Sequence, residues 1–194
     1  MTTLLQTPRS SLVVHDLDDD IVKVIEDCIK TIEPELLVNP PIMLYGKQCY
    51  QHRSIMFYSN TSIGYYYSGK LMASKKLHRC LADLLDYINM KFNFNYNGIL
   101  INKYCDGSDY IGKHSDDEKG LDSSVGVVAI SYGAVRKFRI RNKTTDKIEI
   151  DVPTEPNKII QMKGDFQKEF THEIPPEKKI TEARYSFTFR KHIK

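Results

Sequence analysis

The sequence lacks any unbroken apolar run near the roughly 18 to 20 residues that a membrane-crossing helix needs, so no transmembrane segment is expected. Its first fourteen residues, MTTLLQTPRSSLVV, have neither the sustained apolar core nor the small-residue cleavage site of a secretory signal. There is no C-x-x-C pair. The four cysteines, Cys28, Cys49, Cys80 and Cys105, are scattered, which points to free thiols in a reducing, intracellular compartment. There is little excess of one charge: 28 basic against 25 acidic residues give a net +3, a hint of an anionic partner and no more. Glycine is limited to 10 residues and apolar residues reach 41%, which excludes collagen, disorder and coiled coil as the main description.

What is present fits one domain of 194 residues, with no room for two. Residues 1–16 read as a flexible leader and 17–194 as the domain. Asp18, Asp19 and Asp20 open a helix in which Ile21, Val24, Ile25, Cys28, Ile29 and Ile32 recur at helical spacing, limited by Pro34. From Pro40 an aromatic-rich region punctuated by Gly46, Gly64 and Gly69 reads as short strands and hairpins. A second helix follows Ser74, with a stripe of Leu77, Leu81, Leu84, Leu85 and Ile88. Strands are expected at Ile99 to Tyr104, Val125 to Tyr132, Val135 to Arg141, Lys147 to Val152, Lys158 to Lys163 and Ala183 to Lys191. Two early helices followed by many short strands indicate an α+β fold with a sandwich or barrel in its second half.

The last of these strands alternates strictly. Tyr185, Phe187 and Phe189 share one face, and Arg184, Ser186, Thr188 and Arg190 the other. Two readings are open: a polar face in water, or a barrel strand whose polar face points inward at a ligand. The two arginines span roughly 20 Å of strand and suit a small dianion, because a guanidinium donates two parallel hydrogen bonds to a carboxylate. In the expected strand from Ile99 to Tyr104, Leu100, Asn102 and Tyr104 share a face, and Asn102 and Tyr104 add hydrogen-bonding groups to it.

His114-Ser115-Asp116 is an H-x-D element, and in an extended segment its imidazole and carboxylate lie on one side. His172 can complete a two-histidine, one-carboxylate set, the ligand pattern of non-haem Fe(II) oxygenases. Such an ion with an open face often takes a keto-acid co-substrate carrying a distal carboxylate, which joins the triad and the arginines in one hypothesis.

Asn102-Lys103-Tyr104, the run from Asp106 to Glu118, Ser131-Tyr132-Gly133-Ala134, His172 and Arg184 to Arg190 together resemble the AlkB family of 2-oxoglutarate- and Fe(II)-dependent dioxygenases, over about residues 42 to 191. The resemblance is strongest to the branch that repairs alkylated double-stranded DNA. It implies a double-stranded β-helix (jelly-roll) core at 97–191, two flanking N-terminal helices and a nucleotide-recognition lid at 40–73. It implies that His114, Asp116 and His172 hold Fe(II), and that O2 and 2-oxoglutarate are co-substrates. Arg184 is then expected to grip the distal carboxylate of 2-oxoglutarate and Arg190 to lie near the metal-proximal one, supported by Asn102, Tyr104 and Thr188. Ser186 stands where the family has asparagine, so one co-substrate hydrogen bond is in question.

The implied reaction is oxidative demethylation of 1-methyladenine and 3-methylcytosine in DNA, preferring duplex, with release of formaldehyde. A base inside a duplex must be flipped out to reach such a pocket. Leu44-Tyr45-Gly46-Lys47 resembles the intercalating finger of the duplex-repair branch, Tyr65 and Tyr67 its base-contacting aromatics, and Asp117 and Glu118 are placed to read an exocyclic amine. Without the resemblance, these are ordinary strand aromatics and an acidic turn. Phosphate contacts are expected from the basic row Lys137, Arg139 and Arg141, with Lys143 beyond it, and from Arg53, Lys70, Lys75, Lys76 and Arg79. The alternatives are demethylation of single-stranded RNA or DNA, and a non-catalytic nucleic-acid-binding module. A monomer is expected, and a nuclear site of action in a eukaryote. The wording KFNFNYNGILINK suggests an AT-rich genome, viral ones included.

Overall fold

A computed structural model describes residues 1–44, 46–67, 70–117, 120–122 and 124–193, with the side chains of 44 and 67 excepted. The described chain runs β1 (Thr2–Gln6), β2 (Ser10–Asp16), α1 (Asp19–Ile32), β3 (Pro41–Leu44), β4 (Lys47–Tyr50), β5 (Ser54–Tyr58), β6 (Gly64–Tyr67), β7 (Lys70–Ala73) and α2 (Arg79–Phe92). It continues through β8 (Gly98–Tyr104), β9 (Ile111–His114), β10 (Val127–Gly133), β11 (Lys137–Asn142), β12 (Ile148–Pro153), β13 (Lys158–Gly164), the one-turn α3 (Phe166–Glu169), β14 (Phe170–Ile174) and β15 (Arg184–Arg190).

Seven strands form one antiparallel sheet in the order β1-β2-β13-β10-β15-β8-β5, and four form a second, β12-β11-β14-β9. The two faces of the large sheet have different neighbours. On one, Phe187 and Phe189 of β15 and Ile99 and Ile101 of β8 pack on Ile25 and Ile29 of α1 and on Leu81, Leu84 and Ile88 of α2. On the other, Leu12, Tyr104, Ile160 and Met162 meet Phe138, Ile140, Phe170 and Ile174 of the small sheet. This is a double-layered jelly roll with both helices on its outer side, as the resemblance implied. Among the described residues no helix is long and apolar enough to cross a membrane.

Local chemistry accounts for the helix ends. Asp19 and Asp20 occupy the first turn of α1 and Lys30 the last, matching the helix dipole. Asp18 does not cap the helix; it accepts from the Tyr87 hydroxyl at 2.9 Å and from Lys91 Nζ at 3.0 Å, tying α1 to α2. Helix α2 begins at Arg79, later than the sequence suggests. Lys75 is held extended along β5, its N–H bonded to Phe57 O and its carbonyl to the N–H of Ser59. The helix ends where Asn93 turns left-handed at φ 53°.

Residues 1–16 are not a leader. β2 pairs with β13 from Ser10 to Asp16, β1 closes the sheet edge beside it, and Leu12 and Val13 are buried. Leu12 and Val14, two residues apart and so on one face of β2, turn toward the inter-sheet core, where Leu12 is fully buried. Deleting residues 1–16 would expose one edge of β13. Burial of two aliphatic side chains contributes about 3 to 5 kcal/mol, much of an ordinary folding margin. The expected outcome is a thermal midpoint at least about 10 °C lower, or insoluble protein; an unchanged melting curve would restore the leader.

The segment 40–73 also divides. β3–β4 and β6–β7 are separate hairpins, whereas β5 between them is a fully buried edge strand of the large sheet. In the first hairpin Leu44 pairs with Lys47, and Gly46 takes the turn at φ 75°, where a side chain is strained.

Candidate metal and co-substrate site

Strand pairing builds the metal triad. β9 and β14 were not foreseen as strands, yet their register sets His114 directly opposite His172, with ring centroids 4.3 Å apart. Asp116 follows β9 by two residues and keeps to the same side. Its Oδ1 lies 3.8 Å from His114 Nε2 and its Oδ2 3.7 Å from His172 Nε2. One potential ligand atom from each residue lies within 4.8 Å of the others, as a single ion requires. Asp116 and His172 are buried, while His114 is partly open to solvent, so the triad is approached from one side.

The surroundings hold these groups in ligand form. Burial, then the neighbouring His172 ring, push His114 down to about 3, against the pull of Asp116. Burial and the charge of Arg190 lower His172 as well. Burial alone would raise the Asp116 carboxyl, but Arg190 and then the two imidazoles outweigh it and hold Asp116 below the usual carboxylate range. Two neutral imidazoles and one carboxylate are the protonation states that bind a divalent ion. His114 Nδ1 lies 2.9 Å from the carbonyl of Gly112; donating there leaves Nε2 for a metal. Gln167 accepts the Asp116 N–H at 2.9 Å, and Arg190 Nη2 donates to Asp116 Oδ1 at 2.5 Å.

From the triad a cavity runs between the sheets along β15. All seven residues of that strand are buried, so its polar face is inward and not in water. Arg184, Ser186, Thr188 and Arg190 line the cavity with Asn102 and Tyr104 of β8, which stand opposite Ser186 and Arg184. The two arginines take opposite ends. Arg190 sits at the triad, its guanidinium 5.0 Å from the Tyr65 ring centroid. Arg184 sits at the far end, its guanidinium 5.2 Å from the Tyr104 ring centroid. Its Nε donates to Thr154 Oγ1 at 3.0 Å and its Nη2 to Ser131 Oγ at 2.8 Å. Nη1 is buried and has no hydrogen-bond partner among the described residues. Burial, opposed by the neighbouring Tyr104 hydroxyl and reinforced by the nearby charge of Arg136, lowers Arg184 to about 10, so it is still a cation at neutral pH.

The expected substrate residues fare differently. Tyr65 is buried against Arg190 and lines the cavity. Arg53 does not join a surface cluster with Lys70, Lys75, Lys76 and Arg79. It continues the inward face of β5 and is 2% exposed, with Nε donating to Asn102 Oδ1 at 2.8 Å. The row Lys137, Arg139 and Arg141 is not an unbalanced positive face. Arg139 pairs with both oxygens of Asp151 at 2.7 and 2.8 Å, Arg141 with Glu173 at 2.9 Å and Lys137 with Glu177 at 3.7 Å. The next strands carry the matching carboxylates directly across, Asp151 on β12 and Glu173 on β14 both facing Arg139 in register. Asp117 is exposed and held by Lys143 at 2.9 Å. Gly46 and Lys47 lie at the β3–β4 turn, with Lys47 exposed. Tyr45 and Glu118 lie outside the described residues, as do the side chains of Leu44 and Tyr67.

Three contributors escaped the sequence reading: Gln167 behind Asp116, and Ser131 and Thr154 around Arg184. Ser131 was legible as the polar-inward position of β10 opposite Ser186. Gln167 and Thr154 lie outside the strands, where no periodicity marks them.

Residues 22–190 match the family model of the 2OG-Fe(II) oxygenase superfamily. The chain belongs to that superfamily. Within it this is an AlkB-family member: the human protein named DNA oxidative demethylase ALKBH2 is 27% identical over 157 residues, covering 77% of this chain and 60% of the human one. The rat alpha-ketoglutarate-dependent dioxygenase alkB homolog 3 is 32% identical over 103 residues, 49% of this chain and 35% of its own. The chain thus spans about three-fifths of the human ALKBH2 that it matches. A solved structure, that of OsALKBH1, superposes with a TM-score of 0.59 over 97% of this chain and 100% of its own at 18% identity, which speaks for the fold. The residues present fit the iron and the keto acid that the superfamily is named for. The triad supplies a neutral–neutral–anionic donor set, and Arg184 Nη1 is the buried, unused donor that a distal carboxylate would take.

Proposed function

We propose that this protein is a DNA repair dioxygenase that oxidatively demethylates 1-methyladenine and 3-methylcytosine, preferring duplex DNA. The observation that carries the chemistry is the single strand β15, which ends at the triad through Arg190 and at an under-used, buried guanidinium through Arg184. The names of the ALKBH2 relatives supply the substrate class.

In this reading His114, Asp116 and His172 hold Fe(II). The iron, with O2 and 2-oxoglutarate, supplies the oxidising power that hydroxylates the N-methyl carbon, the keto acid leaving as succinate and carbon dioxide and the methyl group as formaldehyde. The protein's part is orientation and exclusion of water. Arg184 fixes the distal carboxylate and thereby the distance at which the keto-acid end reaches the triad. Arg190 keeps Asp116 ionised and adds positive charge where the second carboxylate arrives. Tyr65 walls the cavity beside Arg190, and a flipped base needs an aromatic surface of that kind. Tyr45 is the wedge that fills the vacated stack. Acting on DNA, the enzyme would work in the nucleus if its host cell is eukaryotic.

The test is incubation with Fe(II), 2-oxoglutarate, air and a duplex oligonucleotide carrying one methylated base. Equal yields of succinate and formaldehyde are expected. Absence of turnover on every methylated nucleic acid ends the proposal, and tight binding without consumption of 2-oxoglutarate leaves a non-catalytic module. The duplex preference has its own test. Tyr45→Ala is expected to slow duplex repair by about tenfold or more, because unstacking costs a few kcal/mol, and to leave single-strand turnover within about twofold. Equal losses on both would move the proposal to single-stranded substrates.

A further inference from the structure

The guanidinium of Arg184 is built into its place from behind. We infer that Thr154 is the positioning residue that orients Arg184 toward the distal carboxylate of the co-substrate, and so sets the preference for a dicarboxylic over a monocarboxylic keto acid. This rests on the co-substrate site proposed above.

Thr154 stands just past the end of β12 and is 2% exposed. Its Oγ1 accepts from Arg184 Nε at 3.0 Å and also from the Arg136 N–H at 3.0 Å, while the Thr154 N–H bonds the Arg136 carbonyl at 2.8 Å. Arg136 is immobilised in turn. It is 1% exposed, its Nη1 donates to Asp106 O at 2.9 Å, and its Nη2 donates to Asp109 O and Pro175 O, each at 2.8 Å. Three loop carbonyls thus hold Arg136, Arg136 holds Thr154, and Thr154 holds one edge of Arg184.

The consequence is geometric. A guanidinium on a flexible stem offers five N–H groups along three edges, and a carboxylate can dock on any of them. Thr154 uses the Nε donor and Ser131 takes a hydrogen of Nη2. Nη1 is the donor left without a partner among the described residues, in a side chain that lines the cavity. With Nε tied, the fork cannot swing about its stem, and a carboxylate is received at one place. Without that tie Arg184 keeps its charge but loses its aim, and the buried Nε–H is left without an acceptor unless the fork moves.

The experiment is calorimetric titration of the Mn(II)-loaded full chain with 2-oxoglutarate and with 2-oxopentanoate, in which a methyl group replaces the distal carboxylate. Thr154→Val keeps the shape and removes the acceptor; Thr154→Ser keeps the acceptor. Thr154→Val is expected to bind 2-oxoglutarate about tenfold more weakly, the value of one hydrogen bond to a charged group, with 2-oxopentanoate changed by less than about twofold. Thr154→Ser is expected to match the wild type toward both acids. If valine at this position does not fold, Thr154→Ala should show the same selective loss. The inference is overturned if the acceptor-less variant binds 2-oxoglutarate like the wild type, if both acids weaken alike, or if serine does not rescue. A wild-type protein that fails to prefer the dicarboxylic acid refutes the co-substrate site itself, a result distinct from a wild type that discriminates and a Thr154 variant that discriminates equally well.

Discussion

Asp116→Ala is expected to abolish demethylation and to weaken Fe(II) or Mn(II) binding by more than about 100-fold, since loss of an outer-shell partner alone costs metal sites 10- to 100-fold. Asp116 is the one anion of the triad, and it lies between both imidazoles at 3.8 and 3.7 Å. Its removal leaves two neutral rings with the Arg190 cation beside them, an arrangement that repels a divalent ion. Asp116→Asn separates charge from volume. It fills the same space and keeps an oxygen, and it is expected to lose the metal nearly as completely. Both variants should be compared with wild type by metal titration and by melting of the metal-free protein, because Asp116 also pairs with buried Arg190, and breaking a buried pair costs about 3 to 5 kcal/mol. A folded Asp116→Asn protein that still takes up half the wild-type metal would remove the triad from the mechanism.

The triad shows how far sequence reasoning reaches. H-x-D was legible because two residues along an extended chain restore the same side, a rule that needs no tertiary information. His172 was legible only as a candidate. Its partnership with His114 is a register between β9 and β14, two strands of four and five residues. The alternation was there in Phe170, His172 and Ile174, but a histidine at the central apolar position hides it. β15 was a sharper case. Its period-two pattern is complete, yet periodicity cannot say what a polar face meets, and the choice between water and ligand was made by the second sheet closing over it. The same limit produced the misplaced charges. Arg53 reads as one of several cations in sequence but is drawn inward by the alternation of β5. The row from Lys137 to Arg141 reads as unbalanced until β12 and β14 bring up their carboxylates. Residues 1–16 looked loose because a two-strand edge hairpin shows little internal hydrophobicity; its stability comes from β13 beside it.

Arg184→Ala should produce the second large loss, and it acts on the other half of the site. The side chain is 4% exposed and carries its charge in a cavity closed by Tyr104 on one face. Burial lowers its pKa, so the protein incurs a desolvation cost to keep a cation there, which is worthwhile only if an anion arrives. Two charge-assisted hydrogen bonds from a guanidinium to a carboxylate are worth about 3 to 6 kcal/mol together, or about 100-fold or more in dissociation constant. The expected result for Arg184→Ala is therefore a 2-oxoglutarate affinity reduced by at least about 100-fold with metal binding retained. Arg184→Lys keeps a cation but not the fork: an ammonium cannot accept the fixed geometry set by Thr154 and Ser131 while presenting two parallel donors, so it should recover only part of the loss. Binding of 2-oxopentanoate, which has no distal carboxylate to lose, should be the same in wild type and both variants. An Arg184→Ala protein with undiminished affinity for 2-oxoglutarate would place the co-substrate elsewhere in the cavity, whereas joint loss of metal and keto acid would mean that the substitution had disturbed the sheet and not the grip.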